Sequence, residues 1–308
     1  PGALEETGFT TPEATTLMRK LAEFRQLGAS ACALEASSIG IEEGRMNGAL
    51  VDVAVFTNFT RDHLDYHGSM EAYAAAKQKL FVWPGLRTAI VNLDDAFGRR
   101  LQAATTARSV LGYSIGGLGD VRAEQLRETQ IGQRFTLVLP NARQEVETGL
   151  LGRYNVSNLL AVAAVLHDAG LEAADIGARL AALQAPAGRM ERLGGVGEPL
   201  LVVDYAHTPD ALENVLVTLR EVATVRGGQL CVLFGCGGDR DKGKRPQMGE
   251  VAGRLADRVL LTSDNPRSEN PAQIIADIQA GIGQAEVEVD RAQAIRRAVA
   301  AAADDDVV

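Results

Sequence analysis

The sequence contains few cysteines, has a deficit of positive charge and lacks any long hydrophobic run. Its three cysteines, Cys32, Cys231 and Cys236, are odd in number and show no Cys-x-x-Cys spacing. This pattern argues against a disulfide framework and fits the reduced thiols of a cytoplasmic protein. No apolar stretch approaches the ~18 residues of a membrane span. No signal peptide is visible at the start, and we expect no membrane insertion.

The charge balance limits the classes of partner. Lysine and arginine total 31 against 40 aspartate and glutamate residues, a net charge of −9. This argues against a general nucleic-acid surface but not against a small anionic ligand, which needs only local positive charge. A hydrophobic content of 46% with 23% charged residues is ordinary for a soluble globular protein. A length of 308 residues favours two domains.

The three cysteines have different predicted environments. Cys32 and Cys231 lie in apolar, strand-like runs, so we predict core thiols there. Cys236 lies in a glycine-rich loop, where a small side chain is a simpler interpretation than a nucleophile.

Both ends of the chain suggest a piece of a longer protein. The chain opens with Pro1 rather than methionine, and its last residues, 304–308, read like the beginning of a further strand. We therefore expect an internal segment.

In the first half, short apolar runs alternate with helical patterns. Such runs fit buried parallel strands, and the stretch from about 109 to 151 has short alternating segments that predict a small antiparallel addition. The predicted strands are Ala31–Glu35, Val53–Thr57 and Thr88–Asn92, and the predicted helices are Thr15–Gln26, Ser69–Phe81, Asn155–Asp168 and Ala173–Leu183. Gln184–Gly188 is the predicted linker.

In the second half, strands and helices alternate regularly. Thr208 and Pro209 predict a capped helix start. The predicted strands are Leu200–Val203, Leu230–Phe234, Val259–Thr262 and Val287–Val289, and helices are predicted to begin at Pro209, Pro246, Pro271 and after Arg291. Repeated β-α-β units predict an α/β fold with a doubly wound parallel sheet.

Two polar loops follow consecutive predicted strands of the second half. Gly235–Arg245 is rich in glycine and charge, and Asp264-Asn265-Pro266-Arg267 offers a carboxylate, an amide, a fixed turn and a guanidinium. Because loops at the carboxyl edge of a parallel sheet meet, we predict one pocket there. An arginine held by a proline turn suits a substrate carrying its own carboxylate.

The segment from Thr57 to Gly68 is rich in metal ligands and acid/base groups. It contains His63, His67 and two aspartates just past a strand. Glu35 ends another predicted strand, so Glu35 and His63 could approach one Mg²⁺ that also takes phosphate oxygens. A solvated loop of charges is the alternative interpretation.

Other candidates carry weaker signals. Lys77 lies on the following helix, where lysine is normally solvated. Asn158 lies near a helix start, as a cap or beside a bound phosphate. Arg189 follows the linker, and Asp204 and His207 lie on the loop after a strand, where His207 could be purely structural.

Together these residues resemble the Mur ligases of peptidoglycan synthesis. The resemblance spans nearly the whole chain and rests on four segments, which are Asn58–His67, Gly152–Asn158, Asp204–Asp210, and Gly235–Arg245 followed by Asp264–Arg267. It implies a central ATPase domain over residues 1–186, with the family's P-loop missing, and a Rossmann-like C-terminal domain over residues 187–308, also incomplete.

The resemblance also implies roles for individual residues. Glu35 and His63 match Mg²⁺ ligands, and Lys77 matches a lysine that CO₂ converts to a carbamate. The family's contacts to UDP-N-acetylmuramoyl-L-alanyl-D-glutamate match Thr10, Thr11, Ser37 and Arg45; its ATP contacts match Asn158, Arg189, Asp204 and His207; its meso-2,6-diaminopimelate pocket matches Arg240, Asp264, Asn265, Pro266 and Arg267. Glu43 stands where the family often has glutamine and is not counted as a contact.

The implied activity is an ATP-dependent amide ligase that adds meso-diaminopimelate through an acyl phosphate. The parent is expected to be a cytoplasmic monomer that binds Mg²⁺ and ATP, whereas the chain without its P-loop is expected to be inactive.

Two alternatives stay open. One is another ligase of this type, lysine-adding or folylpolyglutamate-forming, which the arginine of Asp264–Arg267 would distinguish. The other is a non-catalytic protein that binds nucleotide sugars.

Overall fold

The computed structural model of the chain describes residue 5 and residues 7–308. Helices are interspersed with strands through its first half until four strands follow one another. The elements are α1 (Ala14–Gln26), α2 (Ser38–Glu42), β1 (Val53–Phe56), α3 (Leu64–His67), α4 (Met70–Phe81), β2 (Thr88–Asn92), α5 (Ala96–Ala104), β3 (Ser109–Ser114), β4 (Val121–Thr129), β5 (Gly132–Leu139), β6 (Ala142–Thr148), α6 (Arg153–Asp168) and α7 (Ala173–Ala182).

The second half alternates more regularly after an initial hairpin. Its elements are β7 (Glu191–Gly194), β8 (Leu200–Val203), α8 (Pro209–Arg226), β9 (Cys231–Phe234), α9 (Lys244–Leu255), β10 (Arg258–Leu261), α10 (Pro271–Gln279), β11 (Glu286–Val287) and α11 (Arg291–Ala300). Among the described helices, none is both long and apolar enough to cross a bilayer.

Six strands of the described residues form one sheet in the order β1-β2-β3-β4-β5-β6. The first four are parallel, with Val53 opposite Thr88 and Thr88 opposite Ser109. The turns after β4 and β5 contain only two residues each, a connection that only antiparallel neighbours allow. The predicted mixture of a mostly parallel sheet and a small antiparallel addition is confirmed.

The sheet of the second half has the order β11-β10-β9 and is parallel throughout. Leu261 packs in the cluster that contains helices α8 to α10, whereas its neighbour Leu260 packs against α11. Because successive strand side chains point to opposite faces, helices cover both faces of this sheet. Val307 bridges both Leu200 and Leu230, so the last residues add strand-like pairing, as predicted.

The chain divides into two compact units. The first comprises residues 1–123, 137–143 and 157–176, of which 1–4 and 6 lie outside the described residues, and the second comprises 124–136, 144–156 and 177–308. The core of the first packs β1 and β2 against α4 and α5, through Phe56, Val91, Phe81 and Phe97. The core of the second packs α8, α9 and α10 on β9 and β10. The predicted domain boundary after residue 186 stays a prediction.

Some predicted elements are wrong. Ala31–Glu35 is exposed and forms no strand, since none of the described strands pairs with it. Without a neighbouring strand its backbone N–H and C=O groups have no partners in a sheet, so the segment stays accessible to water. Cys32 is consequently exposed rather than a core thiol, whereas Cys231 and Cys236 are buried.

Two predicted bounds also differ from the structure. α9 begins at Lys244, two residues before Pro246. Proline is compatible with a helix's first turn, where the N–H has no partner within the helix. The last strand pairs only at Glu286 and Val287, rather than over 287–289.

Candidate functional site

The carboxyl end of β1 is fixed by side chains from the elements beside it. Asn92 donates to the Thr57 carbonyl at 2.7 Å, and the buried Tyr113 hydroxyl donates to the Phe56 carbonyl at 3.0 Å. Asp95 accepts from the Phe59 N–H at 2.9 Å while its other oxygen caps α5. The backbone that leads into the predicted metal-binding segment is therefore fully bonded at its start.

The segment after β1 places His63 in an uncommon backbone conformation. His63 has φ of 53°, in the left-handed region, and its N–H donates to the Asp62 carboxylate at 2.8 Å. Its Nε2 lies 3.7 Å from the same carboxylate. Such a conformation in a residue with a side chain costs about 1 kcal/mol or more and concentrates at functional sites.

Tyr73 connects the histidines to the candidate lysine, although the sequence did not single it out. The buried Tyr73 ring stacks on His67 at 5.3 Å and meets His63 edge-on at 5.7 Å. The Lys77 ammonium lies 5.1 Å from the same ring's centroid. A tyrosine one helical turn before Lys77 on α4 was the available signal, since residues four apart share a helix face.

Lys77 has an unusual environment for a helical lysine. Burial lowers the pKa of its ammonium, against the opposing effect of Glu35 and Asp62. Glu35 and Asp62 therefore lie within electrostatic range of this amine.

The donor set near Lys77 fits a hard cation only in part. Within residue 5 and residues 7–308, no group of three or more His, Cys, Asp or Glu side chains is placed to hold a metal ion. Mg²⁺ commonly takes one or two protein ligands and completes its shell with water and phosphate oxygens. The carboxylate of Glu35 and the imidazole of His63, the pair predicted from the sequence, would suffice for that minimal role.

A second cluster in the first unit brings together the predicted dipeptide contacts. The buried Thr11 hydroxyl donates to the Glu35 carbonyl at 2.8 Å and lies 3.1 Å from the Ser37 hydroxyl. Ser37 caps α2 by accepting from the Gly40 N–H at 3.0 Å. Arg45 donates to the Thr11 carbonyl at 3.3 Å. Thr10 is exposed beside this network.

Arg45 is nearly buried and is engaged by acidic neighbours. Its guanidinium lies 3.9 Å from the centroid of the Phe9 ring and forms an ion pair with Glu43. Its Nε is buried without a hydrogen-bond partner among the described residues. Glu43 thus acts on Arg45 and not as an independent contact.

The candidate ATP residues fall in separate units. Asn158 is exposed in the second turn of α6. In the second unit, the Asp204 carboxylate accepts from the N–H groups of Met190 and Ala206, both at 2.8 Å. Met190 has φ of 50°, so Asp204 fixes the strained residue next to Arg189.

Arg189 and His207 flank one exposed tyrosine. The Arg189 guanidinium lies 5.6 Å from the centroid of Tyr205, and the His207 ring meets it at 5.4 Å. Lys244, in the first turn of α9, donates to the His207 carbonyl at 2.7 Å. The structure therefore brings Arg189, Asp204 and His207 together, and their role as ATP contacts stays a prediction.

The loops after β9 and β10 meet, and both contain left-handed residues. Asp239, Asn265 and Arg267 have φ of 54°, 45° and 49°. The Arg267 guanidinium donates to the Gly238 carbonyl at 2.7 Å, and the Gly238 N–H donates to the Asn265 carbonyl at 3.1 Å. A Cβ at Gly238 would lie 1.9 Å from the Pro266 carbonyl oxygen, so this approach requires glycine.

The predicted diaminopimelate residues are therefore adjacent. Arg240 and Arg267 are exposed, and the Cγ of Arg240 and Nη1 of Arg267 both lie near Gly237. Asp264 accepts from the Asn265 amide at 3.2 Å. Two cations beside a carboxylate and an amide form a surface suited to a zwitterionic amino acid.

Comparison with known proteins assigns both halves of the chain to one family. Residues 2–166 match the Mur ligase middle domain, and residues 188–308 match the Mur ligase glutamate ligase domain. The chain belongs to the Mur ligase family. Members of this family are ATP-dependent amide ligases.

Two curated relatives and one solved structure similar to this Mur ligase chain carry the same functional name. The UDP-N-acetylmuramoyl-L-alanyl-D-glutamate--2,6-diaminopimelate ligases of Chromobacterium violaceum and Pseudomonas aeruginosa are each 51% identical, over 310 and 311 residues, covering 100% of this chain. A solved structure of a ligase with that name is 41% identical, has a TM-score of 0.78, and covers 96% of this chain and 62% of its own. This Mur ligase chain spans 63% of the length of those curated relatives.

Proposed function

We propose that this chain forms the central and C-terminal parts of an ATP-dependent ligase that adds meso-2,6-diaminopimelate to UDP-N-acetylmuramoyl-L-alanyl-D-glutamate. The observation that carries the proposal is the meeting of the loops after β9 and β10, with Arg267 and Arg240 exposed beside Asp264 and Asn265. Relatives with that activity in their names, about half identical over the whole chain, support the choice of substrate.

The proposed reaction proceeds in two steps. An oxygen of the D-glutamyl carboxylate attacks the γ-phosphorus of ATP, ADP leaves, and an acyl phosphate forms. The neutral amine of diaminopimelate then attacks the acyl carbon; the carbon–oxygen bond to phosphate breaks, phosphate leaves, and the nitrogen loses a proton. The new amide bond joins diaminopimelate to the D-glutamyl residue and so extends the cell-wall peptide by one residue.

Residues of the first unit are proposed to serve the nucleotide and the UDP-linked substrate. Thr10, Thr11, Ser37 and Arg45 would orient the substrate, with Arg45 supplying the positive charge. Bound Mg²⁺ would neutralise phosphate oxygens, with Glu35 and His63 as its protein ligands. Lys77, with its lowered ammonium pKa, is proposed to be converted to a carbamate, which reverses its charge.

Residues of the second unit are proposed to bind ATP and the incoming amino acid. Arg189 and His207 would contact the nucleotide, and Asp204 would hold the backbone beside Arg189. A cytoplasmic, monomeric protein without a nucleic-acid partner stays a prediction.

Selectivity follows from the distal carboxylate of diaminopimelate, which lysine lacks. Among the described residues, Arg267 makes one hydrogen bond, to Gly238, so its remaining N–H groups can meet that carboxylate. Lysine would leave the two guanidiniums unpaired, and its own ammonium would be repelled by them.

An Arg267→Ala variant tests the proposal. Loss of one charge-assisted pair costs about 2–5 kcal/mol, so the affinity for meso-diaminopimelate should fall at least about 30-fold. Binding is measured by NMR titration of this chain with meso-diaminopimelate, L-lysine and Mg-ATP. Arg254→Ala, which removes an exposed arginine paired with Glu213 on the helices, is the matched control and should bind like the wild type. Equal weakening of diaminopimelate and ATP binding in Arg267→Ala would contradict the assignment.

A further inference from the structure

Arg245 is a fully buried arginine next to the candidate amino-acid pocket. It lies in the first turn of α9 and is 0% exposed. An arginine cannot lose its charge, so its burial requires charged or hydrogen-bonding partners. Its guanidinium donates to both oxygens of Glu269, at 2.8 and 3.1 Å, and to Asp277 at 2.8 Å. A longer bond reaches the Gly237 carbonyl at 3.3 Å.

Glu269 connects this arginine to both loops. It belongs to the loop after β10, but its Oε1 also accepts from the Asp239 N–H, in the loop after β9, at 2.7 Å. Lys242, from the same loop, lies 2.9 Å from its Oε2. Hydrogen bonding by Arg245 lowers the pKa of Glu269 to about 2, so the carboxylate is ionised throughout the neutral range.

Both loops that this ion pair links contain residues in a strained backbone conformation. Asp239, Asn265 and Arg267 are all left-handed, and such residues persist only where surrounding contacts over-determine them. Ser268 donates to the Asp239 carboxylate at 2.6 Å, which adds a direct link between the loops. Arg245 and Glu269 are the most buried members of this network.

We propose that the Arg245–Glu269 ion pair is a positioning pair that sets the amino-acid selectivity of the site. It contacts no substrate in this arrangement; it fixes the two loops so that Arg240 and Arg267 meet a distal carboxylate together. This inference rests on the proposed function and adds to it residues that lie behind the pocket.

The physical reason concerns which end of the amino acid depends on the loops. Lysine and diaminopimelate share one amino-acid end and differ at the other, so displacement of Arg240 and Arg267 weakens the binding of the ligand with two carboxylates and relieves the repulsion of lysine. A displacement of about 1 Å is enough to weaken an oriented charge pair. Loosening the loops should therefore reduce discrimination rather than reduce all binding.

Asp277 offers a route to test this without altering either loop. It lies on α10 and touches Arg245 but neither Arg240 nor Arg267. Asp277→Asn therefore weakens the hold on Arg245, with a smaller electrostatic effect on Lys242, and leaves the contacts of Arg240 and Arg267 in place. Glu269→Gln tests the pair directly, because it keeps the shape and removes the charge.

Arg226 provides a matched structural control in the same unit. It is also buried, and it donates to five backbone carbonyls: those of Gln130, Gly195, Glu198, Asp304 and Asp305. It ends α8 before β9 begins, at the opposite edge of the sheet from the two loops. Arg226→Lys should lower the melting temperature without affecting the pocket.

The experiment measures the ratio of affinities for meso-diaminopimelate and L-lysine by NMR titration, with melting temperatures recorded for each variant. We expect the ratio to fall at least about 10-fold in Glu269→Gln, to fall less in Asp277→Asn, and to stay unchanged in Arg226→Lys. A tenfold fall corresponds to about 1.4 kcal/mol of lost discrimination. If Glu269→Gln does not fold, Asp277→Asn decides.

Two results overturn the inference and can be told apart. If the wild type binds no diaminopimelate, the proposed function fails and the inference fails with it. If the wild type discriminates and both variants keep its ratio while melting earlier, the ion pair is merely structural and the proposed function stands.

Discussion

The most informative single residue of the first unit is Tyr73, which is not itself a candidate catalytic or binding residue. Tyr73 touches His63, His67 and Lys77 at once, so three candidate side chains take their places from one buried ring. The His67 Nε2 also lies 3.0 Å from the Ser38 hydroxyl. The electrostatic environment of Lys77 thus depends on packing that the sequence does not reveal.

We predict that Lys77 reacts with CO₂ more readily than the other lysine of α4. Burial lowers the pKa of Lys77 below its ordinary 10.5, which increases the neutral amine fraction, the form that attacks CO₂. Lys79, half-exposed and paired with Glu42 at 2.6 Å, has no such environment. With ¹³C-bicarbonate at pH 8, we expect a carbamate signal in the wild type and in Lys79→Met that is absent in Lys77→Met. A signal that survives Lys77→Met would disprove the assignment.

At the scale of residues, the sequence predicted the polar side chains of the candidate sites but not the residues that hold them in place. The proximity of Thr11, Ser37 and Arg45, and that of the Gly235–Arg245 and Asp264–Arg267 loops, agrees with the prediction. Glu269 was missed because its partners Asp239 and Arg245 lie 30 and 24 residues away, and Tyr73 because an aromatic residue on a helix more often indicates core packing than a site. The left-handed Arg267 could not be foreseen, because arginine has no preference for that conformation.

Among the elements, the loop after β1 and the helix α5 are held by one shared carboxylate. Asp95 caps α5 with one oxygen and accepts from Phe59 with the other. Asp290 caps α11 alone, by accepting from Gln293 at 3.0 Å.

We predict that Asp95→Ala destabilises the protein more than Asp290→Ala does. Loss of a cap costs about 1 kcal/mol, and leaving the half-buried Phe59 N–H unpaired adds about 1–3 kcal/mol. Urea unfolding measures both variants, and chemical shifts of His63 report on the loop. Equal free energies of unfolding in the two variants would show that the bond to Phe59 contributes nothing.

Elements could be predicted wherever local pattern and tertiary pairing agree. Thr208 caps α8 and Pro209 opens it, and the predicted apolar face is buried through Leu212, Leu216 and Leu219. Ala31–Glu35 has the composition of a strand, but a strand exists only with a neighbour. The short helices α2 and α3, with only 5 and 4 residues, are too brief for periodicity to detect.

For the whole molecule, stability should depend on pH through paired carboxylates. Hydrogen bonds from arginine lower the pKa values of Asp52, Asp257 and Glu269, the last to about 2. A carboxylate with a lowered folded pKa stabilises the fold above its unfolded value, and that contribution is lost as pH falls through the folded pKa.

We therefore predict a constant melting temperature from about pH 7 to pH 5 and a steady fall between about pH 4.5 and pH 2. Thermal unfolding followed by circular dichroism measures this. Glu269→Gln should melt earlier at neutral pH and show a shallower fall below pH 4.5, because it has no proton to gain there. A variant curve parallel to the wild type would contradict the role assigned to Glu269.

The uneven placement of the thiols has a practical consequence. Cys32 is exposed three residues before Glu35, whereas Cys231 and Cys236 are buried. Burial also raises the pKa values of those two thiols, which makes them less reactive still. A maleimide dye added to the folded protein would therefore attach at one position, three residues before Glu35 in the first unit. The natural sequence thus supplies a fluorescent reporter without any engineered cysteine.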